Sequence, residues 1–486
     1  MRQSGKPIIF CLAIVCALLV PGDASAQAGL TKCTGEFGDG ATYLIEVPAN
    51  WNGTLFLYSH GYVVPGNANP AQDVGDPATR SFMLLSGFAL AGSSYAGTGW
   101  AIEEALPDQI AVLDIFAKMV GPPKRTIAWG HSLGGMITAG LIQRYPDRFD
   151  AALPMCGVLS GGVATWNTGL DGAFAFKTLL APPGLQLVNI SNPVGNLETA
   201  EDFLGMAQNT AQGRARLALA AALADAPGWF TPLSPEPAAH DFAAQEANQF
   251  LWDAQVDFPF LFAFRAELEA RAQGNPSWNT DVDYRRQFER STDAAEVRAL
   301  YDQAGLDLDA DLKTLNETAR ISADPEAKEY LERNIIYNGE IHIPVLTLHT
   351  TGDGLVVVEN ESAYRQVVRE EGDGEFLRRT FVARAGHCAF TPAETIAAVE
   401  TLLERLATGR WGEVDAKNLN NAATALGLAL NIYAVPNGTP SPTIVPTPPA
   451  FVDFHPSPYL RPFDAEREEC PPGRSCEERA SRFDLH

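Results

Sequence analysis

The stretch TIAWGHSLGGMITAGLIQRY, residues 126–145, has a serine at position 132 between glycines at positions 130 and 134. The β-prone residues before the glycine predict a buried strand, and the apolar spacing from Leu133 onward predicts a helix directly after the serine. Such a strand-to-helix turn is very sharp, and the two glycines remove side chains that would collide in it. The stretch therefore predicts that the hydroxyl of Ser132 is exposed at the end of a strand, where it can act as a nucleophile.

Strands and helices alternate on both sides of this turn. The spacing of apolar residues predicts strands at 54–59, 88–95, 126–129, 151–155, 344–349 and 376–382. It predicts helices at 79–86, 106–119, 133–145, 359–369 and 392–406. Such alternation is typical of an α/β fold with a mainly parallel sheet that has helices on both faces.

Residues 161–339 differ in character and are called the helical insertion here. Helical spacing recurs at 211–224, 242–252, 258–272 and 294–304. We expect a lid over the carboxyl edge of the sheet, the alternative being a domain without contact with the site. Its aromatic residues either line an acyl pocket or form the core of the lid: Trp229, Phe230, Phe250, Trp252, Phe258, Phe260, Phe262 and Phe264.

The two ends of the chain are expected to lie outside the catalytic domain, which comprises residues 27–160 and 340–410. Residues 1–26 have a basic start, a short apolar block and an Ala-Ser-Ala end, which is typical of a signal peptide for secretion or periplasmic export. An uncleaved membrane anchor is the alternative. Residues 411–486 are expected to be a Pro-rich tail, with a possible helix at 422–433.

Charge restricts the partners of this chain. Its formal net charge of −24 disfavours nucleic acid and anionic membrane surfaces. No later apolar run is long enough for membrane insertion. We therefore expect a small-molecule or polymeric ester substrate, while the oligomeric state is not indicated.

A base for the Ser132 hydroxyl is expected late in the chain. A serine hydroxyl is a weak nucleophile at neutral pH, so a base must take its proton and an acid must orient the base. Of the eight histidines, only His387 follows the last predicted strand within the catalytic domain, since His455 and His486 lie in the tail. Asp353 lies between two glycines after the strand before it, which predicts the same sheet edge. Glu359 is the alternative acid.

Five of the seven cysteines lie beyond the predicted signal peptide, and disulfides are permissible in an exported chain. Cys470 and Cys476 are close enough in sequence to close a small loop. Cys156 follows the strand after the nucleophile, and Cys388 adjoins the predicted base. A disulfide between these two would hold the histidine loop if they lie near each other. The pairing of Cys33 stays open.

The donors for an oxyanion hole are expected in the backbone. The N–H group of Leu133 lies at the start of the helix after the nucleophile, and that of Tyr62 follows Gly61 after an early strand. Gly61 serves only as a turn residue in the alternative interpretation. The sequence contains no metal-ligand spacing, phosphate-binding glycine loop or dinucleotide motif, so no metal and no cofactor is expected.

Four motifs resemble the α/β-hydrolase superfamily in kind and in order. They are the His-Gly loop at 60–61, the Gly-His-Ser-Leu-Gly-Gly turn at 130–135, the Asp353 turn and the Gly-His-Cys loop at 386–388. The resemblance covers about residues 31–157 and 341–409, and it implies the α/β-hydrolase fold with a covalent mechanism that needs no cofactor. The cysteine after the base is also similar to the tannase and feruloyl esterase group, in which it pairs with a cysteine just before the serine. His131 occupies that position here.

Three functions compete at the level of sequence. The leading hypothesis is a carboxylic ester hydrolase in which Ser132 attacks the carbonyl and water resolves the acyl-enzyme. The same residues would cleave an amide, so an exopeptidase or amidase is the alternative, with Glu267 and Glu269 as candidates for holding a substrate amine. A noncatalytic binding protein is expected to have a broken triad, and none is visible.

Overall fold

The computed structural model describes residues 29–435 and 442–463. The predicted signal peptide, residues 1–26, and the predicted pair Cys470 and Cys476 lie outside the described residues. No helix within the described ranges is long and apolar enough to cross a membrane.

A large twisted sheet forms the centre of the described chain. Its strands and those of a small separate hairpin are β1 (Thr31–Glu36), β2 (Thr42–Val47), β3 (Thr54–Ser59), β4 (Ala89–Ser93), β5 (Arg125–His131), β6 (Ala151–Met155), β7 (Val345–Gly352), β8 (Leu377–Ala385), β9 (Ile432–Val435), β10 (Thr443–Pro446) and β11 (Phe451–Val452). The order in the main sheet is β1-β2-β4-β3-β5-β6-β7-β8-β11, and neighbours from β4 to β8 are parallel. The predicted α/β-hydrolase fold is confirmed.

Helices cover both faces of the sheet and build the insertion. They are α1 (Pro77–Leu85), α2 (Ile102–Met119), α3 (Leu133–Arg144), α4 (Gly161–Leu180), α5 (Pro193–Gln208), α6 (Ala211–Leu223), α7 (Phe242–Trp252), α8 (Arg265–Ala272), α9 (Tyr284–Phe288), α10 (Ala294–Ala304), α11 (Leu308–Glu317), α12 (Pro325–Arg333), α13 (Asn360–Glu370), α14 (Pro392–Thr408) and α15 (Ala416–Ala425). Short 3₁₀ and π segments are named where they matter.

The central strands are buried on both faces, which their apolar runs predict. In β3 every residue is buried. Leu55 and Leu57 belong to the core under α2 and α3, whereas Phe56 and Tyr58 belong to the core under α1 and α14. Because successive side chains of a strand point to opposite faces, this division places one core on each side of the sheet.

The helical insertion leaves the sheet after β6 and returns at β7. It has its own hydrophobic core, built mainly from α4, α6 and α10. The predicted helices at 242–252 and 258–272 are joined into one continuous helix by π segments at Asp253–Asp257 and Phe260–Phe264. Pro259 lies between the two π segments. It has no N–H group for the regular α-helical hydrogen bond, which explains the local departure from α geometry.

The prediction of a possible helix at 422–433 in the C-terminal region is wrong. Helix α15 ends at Ala425, Gly427 adopts a positive φ of 85°, and Ile432 begins β9. A left-handed glycine terminates helices, and the β-prone residues after it favour a strand. Beyond β11, which joins the edge of the main sheet, the chain runs to the insertion, where Arg461 forms an ion pair with Asp171.

Candidate active site

Ser132 lies in the turn between β5 and α3. Its backbone adopts φ 60° and ψ −126°, a conformation rarely taken by a non-glycine residue and characteristic of strained functional turns. A Cβ on Gly134 would lie 1.9 Å from the carbonyl oxygen of Ser59, and one on Gly130 would lie 2.5 Å from it. Because neither side chain would fit, these two glycines allow the turn to pack against β3.

His387 lies in the loop after β8 and is oriented by Asp353. Its Nδ1 is 2.7 Å from the Oδ2 of Asp353, which follows β7 and is 1 % exposed. The other oxygen of Asp353 accepts a hydrogen bond from the N–H of Val356 at 3.0 Å. The structure gives no such contact between His387 and Glu359, the alternative acid. With Nδ1–H donated to Asp353, the lone pair of Nε2 is available to accept a proton.

A disulfide between Cys156 and Cys388 connects the histidine loop to the strand beside the nucleophile. The N–H of Ser132 donates to the carbonyl of Met155 at 2.9 Å, and Cys156 is the next residue after Met155. The sulfur of Cys388 lies 3.4 Å from Nε2 of His387. The bond therefore fixes the loop of the predicted base next to the strand that holds the predicted nucleophile.

His349 lies close to Asp353 and stabilises its position, a role that the sequence analysis did not predict. This buried histidine of β7 has its Nδ1 3.2 Å from Glu361, its Nε2 2.8 Å from the carbonyl of Val356, and the same Nε2 3.7 Å from Asp353. Burial acts to lower the pKa of His349, but the hydrogen bond and charge of Glu361 and the charge of Asp353 outweigh it and raise the pKa. The sequence feature that could have indicated this role is the spacing of four residues between His349 and Asp353.

Two further histidines near the nucleophile are not suited to act as its base. His131 is held by the hydroxyl of Tyr58 at 3.1 Å, and burial together with the charge of His387 lowers the pKa of His131 to about 4. His60 bridges the carbonyls of Gly61 and Ser94 at 2.7 and 3.1 Å. The ring of His60 therefore holds the backbone around the site, and the ring of His131 is held by a neighbouring side chain.

Gly61 and Leu133, two of the residues predicted to form the oxyanion hole, lie beside Ser132. A Cβ on Gly61 would lie 3.3 Å from the Cβ of Ser132, so the backbone of this loop passes directly over the nucleophile. Leu133 is the first residue of α3, where the N–H groups have no partner in the helix. The side chain of Tyr62 packs against Phe260 of the insertion, with ring centroids 5.0 Å apart.

A cavity of about 1080 Å³, part of it open to solvent, extends from Ser132 into the insertion. Its walls are largely apolar and include Phe176, Phe258, Phe260 and Leu261. Of the eight aromatic residues considered for an acyl pocket, Phe258 and Phe260 line this cavity, while Phe262 lies in the core of the insertion. The insertion therefore forms a wall of the space next to the nucleophile.

Glu267 and Glu269 are engaged elsewhere and do not line this cavity. Glu267 forms an ion pair with Arg271 at 2.8 Å and accepts the N–H of Trp100 at 3.0 Å. Glu269 forms an ion pair with Arg265 at 3.0 Å. Both carboxylates therefore serve packing of the insertion, and no substrate amine is assigned to them.

Comparison with known proteins gives a relative over most of the chain. The sequence is 31 % identical over 436 residues to the o-phthalyl amidase of Xanthobacter agilis, which covers 82 % of this chain and 92 % of the relative. The chain belongs to the same α/β-hydrolase family as this amidase. The model of the prolyl oligopeptidase family also matches residues 92–168. The protein is thus a serine hydrolase.

Solved structures similar to this α/β-hydrolase include two fungal esterases. Feruloyl esterase B from Aspergillus oryzae is 11 % identical with a TM-score of 0.42, and the match covers 91 % of this chain and 92 % of that one. Another esterase from Aspergillus oryzae is 14 % identical with a TM-score of 0.40, covering 79 % of this chain and 81 % of that one.

Proposed function

We propose that this serine hydrolase cleaves carboxylic amides of aromatic acids through an acyl-enzyme on Ser132. The Oγ of Ser132 attacks the acyl carbon, and Nε2 of His387 takes the hydroxyl proton and passes it to the leaving amine. Water then attacks the acyl-enzyme and loses a proton to His387, which gives this proton to the Oγ of Ser132 as the bond from Oγ to the acyl carbon breaks and the acid is released. Asp353 keeps the ring of His387 in the required tautomer throughout.

The observation that carries the proposal is the aromatic cavity beside the nucleophile. Phe176, Phe258 and Phe260 line a space that begins at Ser132, and such walls favour a flat acyl ring. The relative of this chain is named for an amidase activity on an o-phthalyl group, which also is an aromatic acyl group on an amine. The backbone N–H groups of Leu133 and Tyr62 are the proposed donors to the oxyanion.

Ester hydrolysis is the second candidate. The attack on an ester uses the same nucleophile, base and donors, and an alcohol leaves more easily than an amine. An enzyme that forms an acyl-enzyme from an amide is therefore expected to form it from the corresponding ester, whereas the reverse does not follow.

A matched set of substrates tests the bond and the acyl group together. We expect hydrolysis of both 4-nitrophenyl benzoate and benzoyl-4-nitroanilide, with a higher kcat/KM than for the corresponding butyryl compounds. Ser132→Ala should abolish all four activities, and the exposed Ser81→Ala serves as a matched control. Cleavage of the esters alone would favour the second candidate, and a preference for butyryl compounds would contradict the aromatic acyl group.

We also propose that residues 1–26 direct export to the periplasm or the medium. The disulfide between Cys156 and Cys388 supports this proposal because disulfides persist in oxidising compartments. Mass spectrometry of the exported protein should show an N-terminus at Gln27. A full-length chain that remains in the cytosol would contradict export.

A further inference from the structure

Two carboxyl groups face the cavity that contains the nucleophile. Asp253 and Asp257 both line it, and no other charged side chain of the described ranges does so. The two residues belong to the π segment Asp253–Asp257, in which positions about one turn apart lie on the same side of the helix. The cavity therefore has one acidic patch in an otherwise apolar wall.

Neither carboxyl group has an ion-pair or hydrogen-bond partner among the described side chains. Three other acids of the insertion form ion pairs: Glu269 pairs with Arg265 at 3.0 Å, Asp311 with Arg216 at 2.7 Å and Asp171 with Arg461 at 3.1 Å. Glu246 and Glu296 are also buried without an ion pair, but each accepts a hydrogen bond from a glutamine side chain, at 3.3 and 3.2 Å. Asp253 and Asp257 differ from these acids because they have no such partner and line the cavity.

The surroundings of the acidic patch disfavour its negative charge in the absence of a cation. Burial and the charge of Glu246 raise the pKa of Asp253 to about 8. Burial and the charges of Asp253 and Asp353 raise the pKa of Asp257 well above its ordinary value. A bound cation would relieve this repulsion, since an opposite charge nearby favours the ionised carboxylate.

Other residues that line the cavity offer hydrogen-bond donors for a second polar group of a ligand. The indole N–H groups of Trp100 and Trp166 have no acceptor in the described chain, although both residues are only 5 % exposed and line the cavity. A buried donor without an acceptor is costly, so an oxygen of a ligand would stabilise it. The net charge of −24 would also attract a cation rather than an anion.

We propose that Asp253 and Asp257 bind a positively charged amino group of the substrate. The preferred substrates are then acyl compounds that carry a cationic amine beside an aromatic ring. This assignment rests on the proposed function in that it takes the Ser132 cavity as the substrate site. The amine is bound outside the scissile bond, so no covalent step involves the two aspartates.

Three ligands of similar size and different charge test the assignment in the unaltered protein. Benzylamine, benzyl alcohol and benzoate are compared as competitive inhibitors of 4-nitrophenyl acetate hydrolysis at pH 7.5. We expect benzylamine to bind about tenfold more tightly than benzyl alcohol, because a partly desolvated ion pair contributes more than an exposed one. Benzoate should bind least tightly. Equal binding of the amine and the alcohol, or tightest binding of benzoate, overturns the proposal.

Variants then assign the preference to the two carboxyl groups. In Asp253→Asn, Asp257→Asn and the double variant, the advantage of benzylamine over benzyl alcohol should fall, in the last case to within about twofold. Asp302→Asn removes the same charge from an exposed position of α10 and should leave the advantage intact. An equal loss in Asp302→Asn would attribute the preference to the net charge and overturn the assignment. If the variants do not fold, the comparison in the unaltered protein still decides.

The neutral acetyl ester separates this test from that of the proposed function. Failure to cleave benzoyl amides would contradict the aromatic amidase, while the inhibition constants could still be measured. Isothermal titration calorimetry with the Ser132→Ala variant gives the same three affinities without turnover.

Discussion

The edge of the sheet and the helical insertion meet at one cavity but position their side chains differently. At the edge, Ser132 and Asp353 follow directly on a strand and His387 follows its strand one residue later, so a few neighbouring residues set their places. In the insertion, Asp253 and Asp257 reach the cavity through a helix irregularity and through packing between distant helices. The comparison teaches that the proposed reacting groups are placed locally, whereas the proposed substrate contacts depend on long-range packing.

The largest expected effect tests the placement of His387 by Asp353 at the sheet edge. Asp353→Asn should lower kcat by about 10⁴-fold, because an amide donates to Nδ1 and holds His387 in the wrong tautomer. The overall fold should remain, as judged by circular dichroism. Asp147→Asn, an exposed change, is the control, and a decrease below about tenfold in Asp353→Asn would mean that another group orients His387.

Removing the disulfide tests whether the position of the His387 loop at the sheet edge depends on a bond between residues far apart in the sequence. Replacing both Cys156 and Cys388 by Ser should lower the free energy of unfolding by about 3 kcal/mol, because the bond closes a very long loop. The value of kcat should also decrease as the loop of His387 loosens. A reductant should produce both effects in the unaltered protein and neither in the double variant. An unchanged denaturation midpoint would show that strand pairing alone holds the loop.

The ion pair between Arg461 of the C-terminal region and Asp171 of the insertion tests how much long-range packing contributes to stability. Asp171 is fully buried, and burial raises its pKa to about 6 although Arg461 acts to lower it. Arg461→Gln removes that partner and should lower the free energy of unfolding by about 2 to 3 kcal/mol, less than for an isolated pair because Tyr284 and Gln287 still donate to Asp171.

Chemical denaturation measures this effect of Arg461→Gln. The control is Arg333→Gln, which removes an exposed pair with Glu329 and should change the free energy by about 0.5 kcal/mol or less. Equal effects of the two variants would mean that the ion pair of Asp171 contributes no more than a surface pair.

The smallest expected effect concerns His349. His349→Gln should lower kcat by about tenfold, because Asp353 loses a supporting group within the buried chain of hydrogen bonds. The raised pKa of His349 also predicts a pH dependence. Proton binding stabilises the folded state fully below the pKa of an unfolded histidine, about 6.5, and this contribution is lost as the pH rises through the higher folded pKa.

Denaturation at several pH values measures this contribution of His349. The difference in unfolding free energy between the unaltered protein and His349→Gln should be largest below pH 6 and should shrink toward pH 9. A difference that grows with pH would contradict a charged His349 in the folded state.

Most of the sheet and the meeting of Asp353 with His387 were predictable because their signals are local. Strands β3 and β6 have the bounds that the apolar runs predict, and the structure brings Asp353 and His387 to 2.7 Å. The hairpin of β1 and β2 was not predicted, since β1 is a mostly polar edge strand with only Cys33 buried. Its pairing with β2 depends on neighbours rather than on its own pattern.

The residues that sequence reasoning missed depend on tertiary contacts. Glu361 supports His349 across twelve positions of the chain, from a different element. Asp253 and Asp257 face the cavity through the π segment beside Pro259. A regular helical pattern does not predict that segment, because its hydrogen bonds shift by one residue.

The C-terminal region determines the point during synthesis at which the wall of the cavity is complete. Tyr459 lines the cavity and follows every described strand in the sequence, just before the ion pair of Arg461 with the insertion. Since ribosomes make the chain from its first residue, the wall of the cavity is incomplete until Tyr459 has been added. A nascent or truncated chain would thus have its nucleophile, base and acid before it has a finished place for the molecule on which they act.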